Sequence, residues 1–218
     1  MNGEKEARPQ KVPTPTLERL AAYLRLLIEQ EISEVTTISS KDVERQTGIS
    51  AAQFRKDLSF FGEFGRPGVG YNVGVLKERL AHILKLRTRQ PVVIVGAGNL
   101  GSALVGYAGL RKHGFDIVGV FDSDAGKIGR SLWDLTIRDV RELRAANREL
   151  GARIGIIAAP PESAQEVADL LVLSGVKVIL NFAPIALRVP RGIVVRDVCF
   201  IQELAVLSYH LDQDLNPP

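Results

Sequence analysis

The sequence is poor in the residues that carry redox and metal chemistry, with one cysteine and three histidines in 218 residues. Cys199 has no partner for an internal disulfide and lies in the apolar string DVCFI, which predicts a buried, inert thiol. His82 falls in a helical stretch, His113 at a helix end and His210 near the C-terminus, so no metal-ligand spacing links them. A nucleophile elbow is also absent. Apolar runs stay well short of the roughly 20 residues that a membrane helix requires, so no membrane partner is expected. The opening residues, MNGEKEARPQKVPTPT, alternate charges with three prolines and lack the apolar stretch of a secretory signal. Residues 1–15 read as a flexible tail, and a cytoplasmic address follows. Internal repeats and low-complexity segments are missing too.

What the chain does have is the material for two folded domains. Its length suits two units of ordinary size, and 45% hydrophobic against 24% charged residues is the balance of a chain that buries a core. Net charge is only +3, but it is unevenly spread. Residues 1–90 hold 15 Lys/Arg against 11 Asp/Glu, whereas residues 91–218 hold 13 against 14. Within 41–90 the ratio is 10 to 5, the polarity of a segment that meets phosphate.

Leu17, Leu20, Leu24, Leu27 and Ile28 recur at helical spacing and predict an amphipathic helix over 16–34. Ser39 and Ser40 suit the cap of a second helix that stops at Gly48. Ser50 and Gln53 form a capping-box pair for a third, with Ile49 and Phe54 as its hydrophobic staple. There Phe54, Leu58 and Phe61 face the core, leaving Arg55, Lys56 and Ser59 turned away. The string GEFGRPGVGYNV follows, rich in glycine and suited to a short hairpin, and VLKERLAHILKL supplies a further helix. Helix, helix-turn-helix and glycine-rich hairpin, in that order, predict a winged-helix domain over 16–88.

From residue 89 to 198 the pattern changes to short Val/Ile strands alternating with helices: PVVIV, FDIVGVF followed by a loop and a helix, RIGIIAA, VKVILNF and GIVVRDV. Continuous runs of this kind are buried on both faces, so the expected class is α/β, a parallel sheet covered by helices. A last helix over about 199–212 carries the apolar stripe Phe200, Ile201, Leu204, Leu207 and Leu211.

PVVIV runs directly into Gly96-Ala97-Gly98-Asn99-Leu100-Gly101 and then a predicted helix, SALVGYAGL. Asp122 closes the next strand, 21 residues after Gly101. Strand, GxGxxG, helix and distant acid together form the fingerprint of a dinucleotide-binding Rossmann domain. Gly96 permits the turn, Gly98 lets the pyrophosphate approach the backbone, and Gly101 allows close packing of helix on strand. Asp122 is the expected acceptor for the ribose hydroxyls, which favours NAD(H) over its 2′-phosphorylated form, although Lys127 nearby softens that preference. The strand ends Ala158-Ala159-Pro160-Pro161 and Asn181-Phe182-Ala183-Pro184 are candidates for the nicotinamide side.

A hydride-transfer enzyme needs an acid or base beside the substrate carbon. With so few histidines and little chain left for a substrate domain, the pocket carries no obvious chemistry, and the dinucleotide reads as a ligand to be sensed. Three readings remain at this point: an NADH-responsive repressor, an NAD-dependent oxidoreductase with a basic accessory domain, and an NAD-binding scaffold whose winged helix contacts protein.

With FRKDLSFFGEFGRPGVGYNV at 54–73, GAGNLG and NFAP, the chain resembles the Rex family of bacterial redox-sensing repressors over nearly its whole length, apart from the proline-bearing N-terminal tail. The resemblance implies a homodimer whose C-terminal helix, within 199–218, is exchanged with the partner. It also implies operator DNA as partner, NADH and NAD⁺ as sensed ligands, release of DNA when NADH binds, and control of genes for NADH-consuming pathways. Arg25, Tyr107 and Asp197 occupy places where such repressors couple nucleotide to DNA binding. On this basis the helix Ser50–Phe61 enters the major groove. Arg55 and Lys56 then reach phosphates or guanine edges, Gln53 and Ser59 come within range of bases, and Arg66 on the wing suits a narrow minor groove.

Overall fold

A computed structural model describes residues 12–65 and 68–211. The chain divides into two compact units between Thr88 and Arg89.

In the first unit, helix α1 (Thr14–Ile32) starts two residues inside the predicted tail, because a proline at the first helical turn gives up no hydrogen bond. Residues 1–11 of that tail lie outside the described residues. Strand β1 (Thr37–Ile38) is followed by α2 (Ser40–Thr47), and α2 ends at Gly48 in the left-handed conformation. Helix α3 (Ala51–Ser59) then leads to β2 (Tyr71–Asn72) and α4 (Val73–Ile83). The predicted hairpin over 62–73 is corrected here: β2 pairs antiparallel with β1, more than 30 residues upstream, with Ile38 opposite Tyr71. The core gathers Leu20, Tyr23, Leu27, Ile38, Phe54, Leu58, Leu76 and Leu80, all buried. Phe54 lies edge-on to Tyr23 and Tyr71, with ring centroids 4.8 and 5.1 Å away.

The second unit is one seven-stranded sheet. Its strands are β3 (Gln90–Val95), β4 (Phe115–Asp122), β5 (Ser131–Leu132), β6 (Leu135–Asp139), β7 (Ile154–Ile157), β8 (Val178–Asn181) and β9 (Val194–Asp197), in spatial order β5-β6-β4-β3-β7-β8-β9. All neighbours are parallel except β5, which folds back on β6. The loop predicted after β4 thus contains a hairpin and a sheet strand. Alternation along each strand feeds both faces. Val93, Val95 and Ile157 pack under α7 (Leu143–Leu150) and α8 (Pro161–Leu173), whereas Val92, Ile94 and Ile156 face the opposite side.

The helix predicted after the glycine turn is two helices, α5 (Asn99–Val105) and α6 (Ala108–Lys112), broken at Gly106–Tyr107. Trp133, in the β5–β6 turn, covers Gly106 so closely that an added Cβ would meet its ring at 2.4 Å. Helix α9 (Phe200–Leu211) closes the described chain and buries none of its residues. Cys199, just before it, is half-buried.

Candidate functional sites

The strand order reverses between β3 and β7, since β3 connects outward to β4 on one side while β7 begins the series on the other. Such a switch point opens a crevice at the carboxyl edge of a parallel sheet, where ligands bind. A cavity of about 540 Å³ lies there, lined by Gly96, Gly98, Asp122, Lys127, Ala159 and Pro160 among others. The size suits part of a dinucleotide.

Each glycine of the turn answers a different geometric demand. Gly96 has φ +108°, a conformation that other residues rarely adopt, and a Cβ there would strike the Ala158 carbonyl at 2.4 Å. At Gly101 a Cβ would fall 1.8 Å from the Gly96 carbonyl oxygen, so α5 packs against the turn only without a side chain. A Cβ at Gly98 meets nothing within 4 Å: its missing side chain leaves open space at the cavity wall, the cradle a pyrophosphate needs. Ala97 is buried, Leu100 half-buried and Asn99 exposed at the first turn of α5, and none of the three lines the cavity.

Asp122 does more than the sequence indicated. Its carboxylate is almost fully buried and accepts the Ala97 N–H at 2.8 Å, the Asp124 N–H at 2.9 Å and the Lys127 ammonium at 3.0 Å. Burial alone would raise its pKa, but the two backbone donors and Lys127 outweigh that and hold it below the ordinary carboxylate range. The acid therefore fixes the glycine turn to the end of β4, with room among its roughly four acceptor positions for one further donor. Asp124 and Glu166 add negative charge to the lining, against the single cation Lys127. Ser123, Asp124, Ser163 and Glu166 were not singled out from the sequence.

Asn181 and Phe182 lie one strand over, where the Phe182 N–H donates to the Ile157 carbonyl at 3.0 Å. Neither lines the cavity. The fully buried Asn181 amide donates to the carbonyls of Ala183 and Ile185 and to Asp197, at 3.1, 3.0 and 2.8 Å, and accepts the Ala183 N–H at 3.0 Å. The Phe182 ring lies 6.1 Å from that of Phe200 at the start of α9. Tyr107, at the α5–α6 break, is 62% exposed and belongs to a groove at the amino edge of the sheet, whereas Asp197 ends β9 at the carboxyl edge. Arg25 is exposed on α1 in the first unit.

In that unit, Ser39 and Asp42 cap α2 reciprocally, and Ser39 with Arg45 lowers the Asp42 pKa to about 2. Only half of the capping box expected at α3 forms: Ser50 accepts the Gln53 N–H at 3.2 Å, but the Gln53 amide turns away and donates to Asp57 at 2.8 Å. Asp57, on the inner face of α3, is fully buried. It also takes two bonds from Arg19, at 2.6 and 2.7 Å, one from the Tyr23 hydroxyl at 2.9 Å and one from Thr16 at 3.3 Å. Burial opposes the charge, yet Arg19, Gln53 and Tyr23 hold its pKa below the usual range. Above this network Arg55, Lys56 and Ser59 are exposed, as the helical spacing predicted. Arg55 donates to Ser40 at 2.8 Å, and Ser59 to the Lys56 carbonyl at 2.7 Å. Ser39, Ser40, Lys41 and Arg55 line a groove with Gly65, Gly68 and Gly70. Arg66 lies outside the described residues.

The first unit matches a family model described as a putative DNA-binding protein N-terminus, over residues 11–59, and the second one described as a CoA binding domain, over 88–185. A redox-sensing transcriptional repressor Rex of Carboxydothermus hydrogenoformans is 47% identical, with 94% of this chain and 98% of that protein covered. A protein of the same name from Desulforamulus reducens is 46% identical over 92% and 96% of the two chains. Among solved structures, the Rex-family repressor RSP in complex with NADH aligns with a TM-score of 0.87 and 35% identity over 94% of this chain and 96% of that one. RSP with NAD⁺ and operator DNA aligns at 0.88 and 36%, with 94% of each chain covered. Identity at this level over almost the entire length places both units in one lineage, and the chain belongs to the Rex family of redox-sensing transcriptional repressors.

Proposed function

We propose that this chain binds operator DNA as a homodimer, through α3 and the loop before β2, and releases it when NADH enters the switch-point cavity. The observation that carries the reading is the cavity itself. Gly98 leaves open space beside a turn that Asp122 already holds in place, and no histidine, cysteine or tyrosine lies in the lining. A site built this way binds a dinucleotide, and its one lysine, Lys127, is committed to Asp122 at 3.0 Å, so we read the protein as a sensor and not as an enzyme, in the cytoplasm where operator and nucleotide meet.

The negative lining formed by Asp122, Asp124 and Glu166 repels a phosphate on the ribose, which favours NADH over NADPH and also over the phosphorylated ribose of coenzyme A. Gly96, Ala97, Gly98 and Gly101 hold the pyrophosphate, supported by Asn99 and Leu100 at the start of α5. Ala159 and Pro160 lead toward Asn181 and Phe182 on the nicotinamide side. An apolar wall there penalises the cationic ring of NAD⁺ and favours the neutral reduced ring. On DNA, Arg55 and Lys56 supply phosphate contacts beside the groove that ends at Ser40, with Ser50, Gln53 and Ser59 facing the bases. Arg66 enters the minor groove, and Arg25, Tyr107 and Asp197 carry the signal between nucleotide and DNA.

Helix α9 supports the dimer. Ile201, Leu204, Val206, Leu207 and Leu211 are each at least 60% exposed, a strip that water tolerates poorly and a second subunit covers by exchange. The test uses a duplex selected from a randomised pool by the full-length chain, with fluorescence anisotropy read as NADH, NAD⁺ and NADPH are added in turn. Release by NADH alone is the expected result. Equal release by NADH and NAD⁺ overturns the sensing step, and turnover of an alcohol or hydroxy acid overturns the non-enzymatic reading.

A further inference from the structure

The Asp57 network has a consequence for how α3 reads DNA. Gln53 is the third residue of α3, half-buried at the margin between the core face (Phe54, Asp57, Leu58) and the exposed face (Arg55, Lys56, Ser59). In helix-turn-helix proteins the N-terminal residues of the recognition helix are the ones that touch base edges. A free glutamine there recognises adenine with both ends of its amide, the oxygen accepting from N6 and the nitrogen donating to N7.

Gln53 is not free. Its Nε2 donates to Asp57 Oδ1 at 2.8 Å, and an ionised carboxylate accepts only, so the nitrogen end must face inward. Asp57 is itself pinned by Arg19, Tyr23 and Thr16, with no exposed surface left to it. The other end of the amide, Oε1, accepts no hydrogen bond from any described residue.

Building on the DNA-binding reading above, we infer that Asp57 is a positioning residue that locks the Gln53 amide nitrogen-inward, so that Gln53 reads a base as a hydrogen-bond acceptor alone. Adenine and cytosine carry an exocyclic amine in the major groove and satisfy it; guanine and thymine offer only acceptors there and do not. The lock trades the two-point adenine contact for a choice between amine-bearing bases and the rest.

The test compares wild-type, Gln53→Met and Asp57→Asn chains on duplexes selected by the wild type from a randomised pool. Methionine keeps the length of the side chain and removes both amide groups, and a cooperative thermal melt well above the assay temperature shows that each variant is folded. In Gln53→Met, a preference for adenine or cytosine at one base pair of each half-site weakens by roughly 2- to 12-fold, the worth of one hydrogen bond. Removing the exocyclic amine of that base, with purine or 2-pyrimidinone in its place, costs the wild type the same factor and costs Gln53→Met nothing. Replacing an adenine there with 7-deazaadenine leaves wild-type binding unchanged, because no donor reaches N7. Asp57→Asn lets the amide turn over and admits guanine or thymine.

Several results overturn the inference: an unchanged base profile in Gln53→Met, a lost preference for guanine or thymine, sensitivity to 7-deazaadenine that Gln53→Met abolishes, or an unaltered preference in a folded Asp57→Asn. A wild-type chain that selects no duplex sequence at all overturns the DNA-binding reading itself, and this inference with it. Sequence-selective, NADH-sensitive binding alongside any of the preceding results sinks the inference and leaves the function standing.

Discussion

Gly98 and Gly101 place opposite demands on a methyl group, and the pair separates binding from folding. At Gly101 the new Cβ meets backbone at 1.8 Å, so Gly101→Ala displaces α5, with a cost of about 1–3 kcal/mol for overpacking. At Gly98 it meets nothing, so Gly98→Ala melts like the wild type. Its methyl instead fills the space a pyrophosphate would take, and NADH affinity falls by an order of magnitude or more in a fluorescence titration. Equal NADH affinity in Gly98→Ala and the wild type contradicts the cradle. Asp57 and Asp42 govern the acid limb of stability. Both are held below the unfolded carboxylate value of about 3.9, so their stabilisation is complete above that value and is lost as pH falls through their folded values. Thermal melts therefore decline steeply below about pH 4, and Asp57→Asn, less stable at pH 7, shows a shallower decline. The Asp57 role was not read from the sequence. It stands three residues after Phe54, on the core face, but an acid at such a position is ordinarily turned to solvent, and Arg19, which neutralises it, is 38 residues away.

At the scale of elements, β3, β4, β7 and β8 were legible because Val/Ile runs buried on both faces leave few alternatives. Strand β6 was not, since it adds a single buried residue, Ile137, to the sheet. The β1–β2 pair escaped because its partners are far apart in sequence and two residues long, and local spacing carries no record of such pairing. The α5–α6 break follows from Trp133, brought over Gly106 by a turn more than 20 residues later. The tight turn at Gly96 and the close packing at Gly101 have the geometry read from the sequence, while the acidic lining from Asp124 and Glu166 depended on the path of the chain. Helix α9 showed its stripe in the sequence, and the structure leaves that stripe uncovered. Placing glutamates at Leu204 and Leu207 should yield monomers by analytical ultracentrifugation, with helical content nearly unchanged. A dimer that survives both substitutions places its interface elsewhere.

For the whole molecule, charge and architecture divide the work. The excess of cations in residues 41–90 lies, Arg89 apart, in the unit with the helix-turn-helix, and the other unit is balanced overall but acidic at its cavity. The logarithm of operator affinity should fall linearly with the logarithm of salt concentration, with a slope of about −0.9 for each phosphate neutralised. Arg55→Ala should reduce that slope by about one per subunit while leaving the NADH response intact; an unchanged slope removes Arg55 from the phosphate contacts.

The bond from Asn181 to Asp197 joins the loop at the carboxyl edge to the last residue of β9, and the Val198 N–H closes back on the Asn181 carbonyl at 2.8 Å. Two residues later α9 begins. A buried amide with every group engaged has little slack, so a displacement of that loop drags the base of α9 along. Pivoted at its base, a 12-residue helix about 18 Å long swings its tip through about 1.6 Å for a tilt of roughly 5°. On the proposed reading, in which the nicotinamide side reaches that loop, a sub-ångström adjustment there would become a stroke as large as those that separate the two states of many switching proteins.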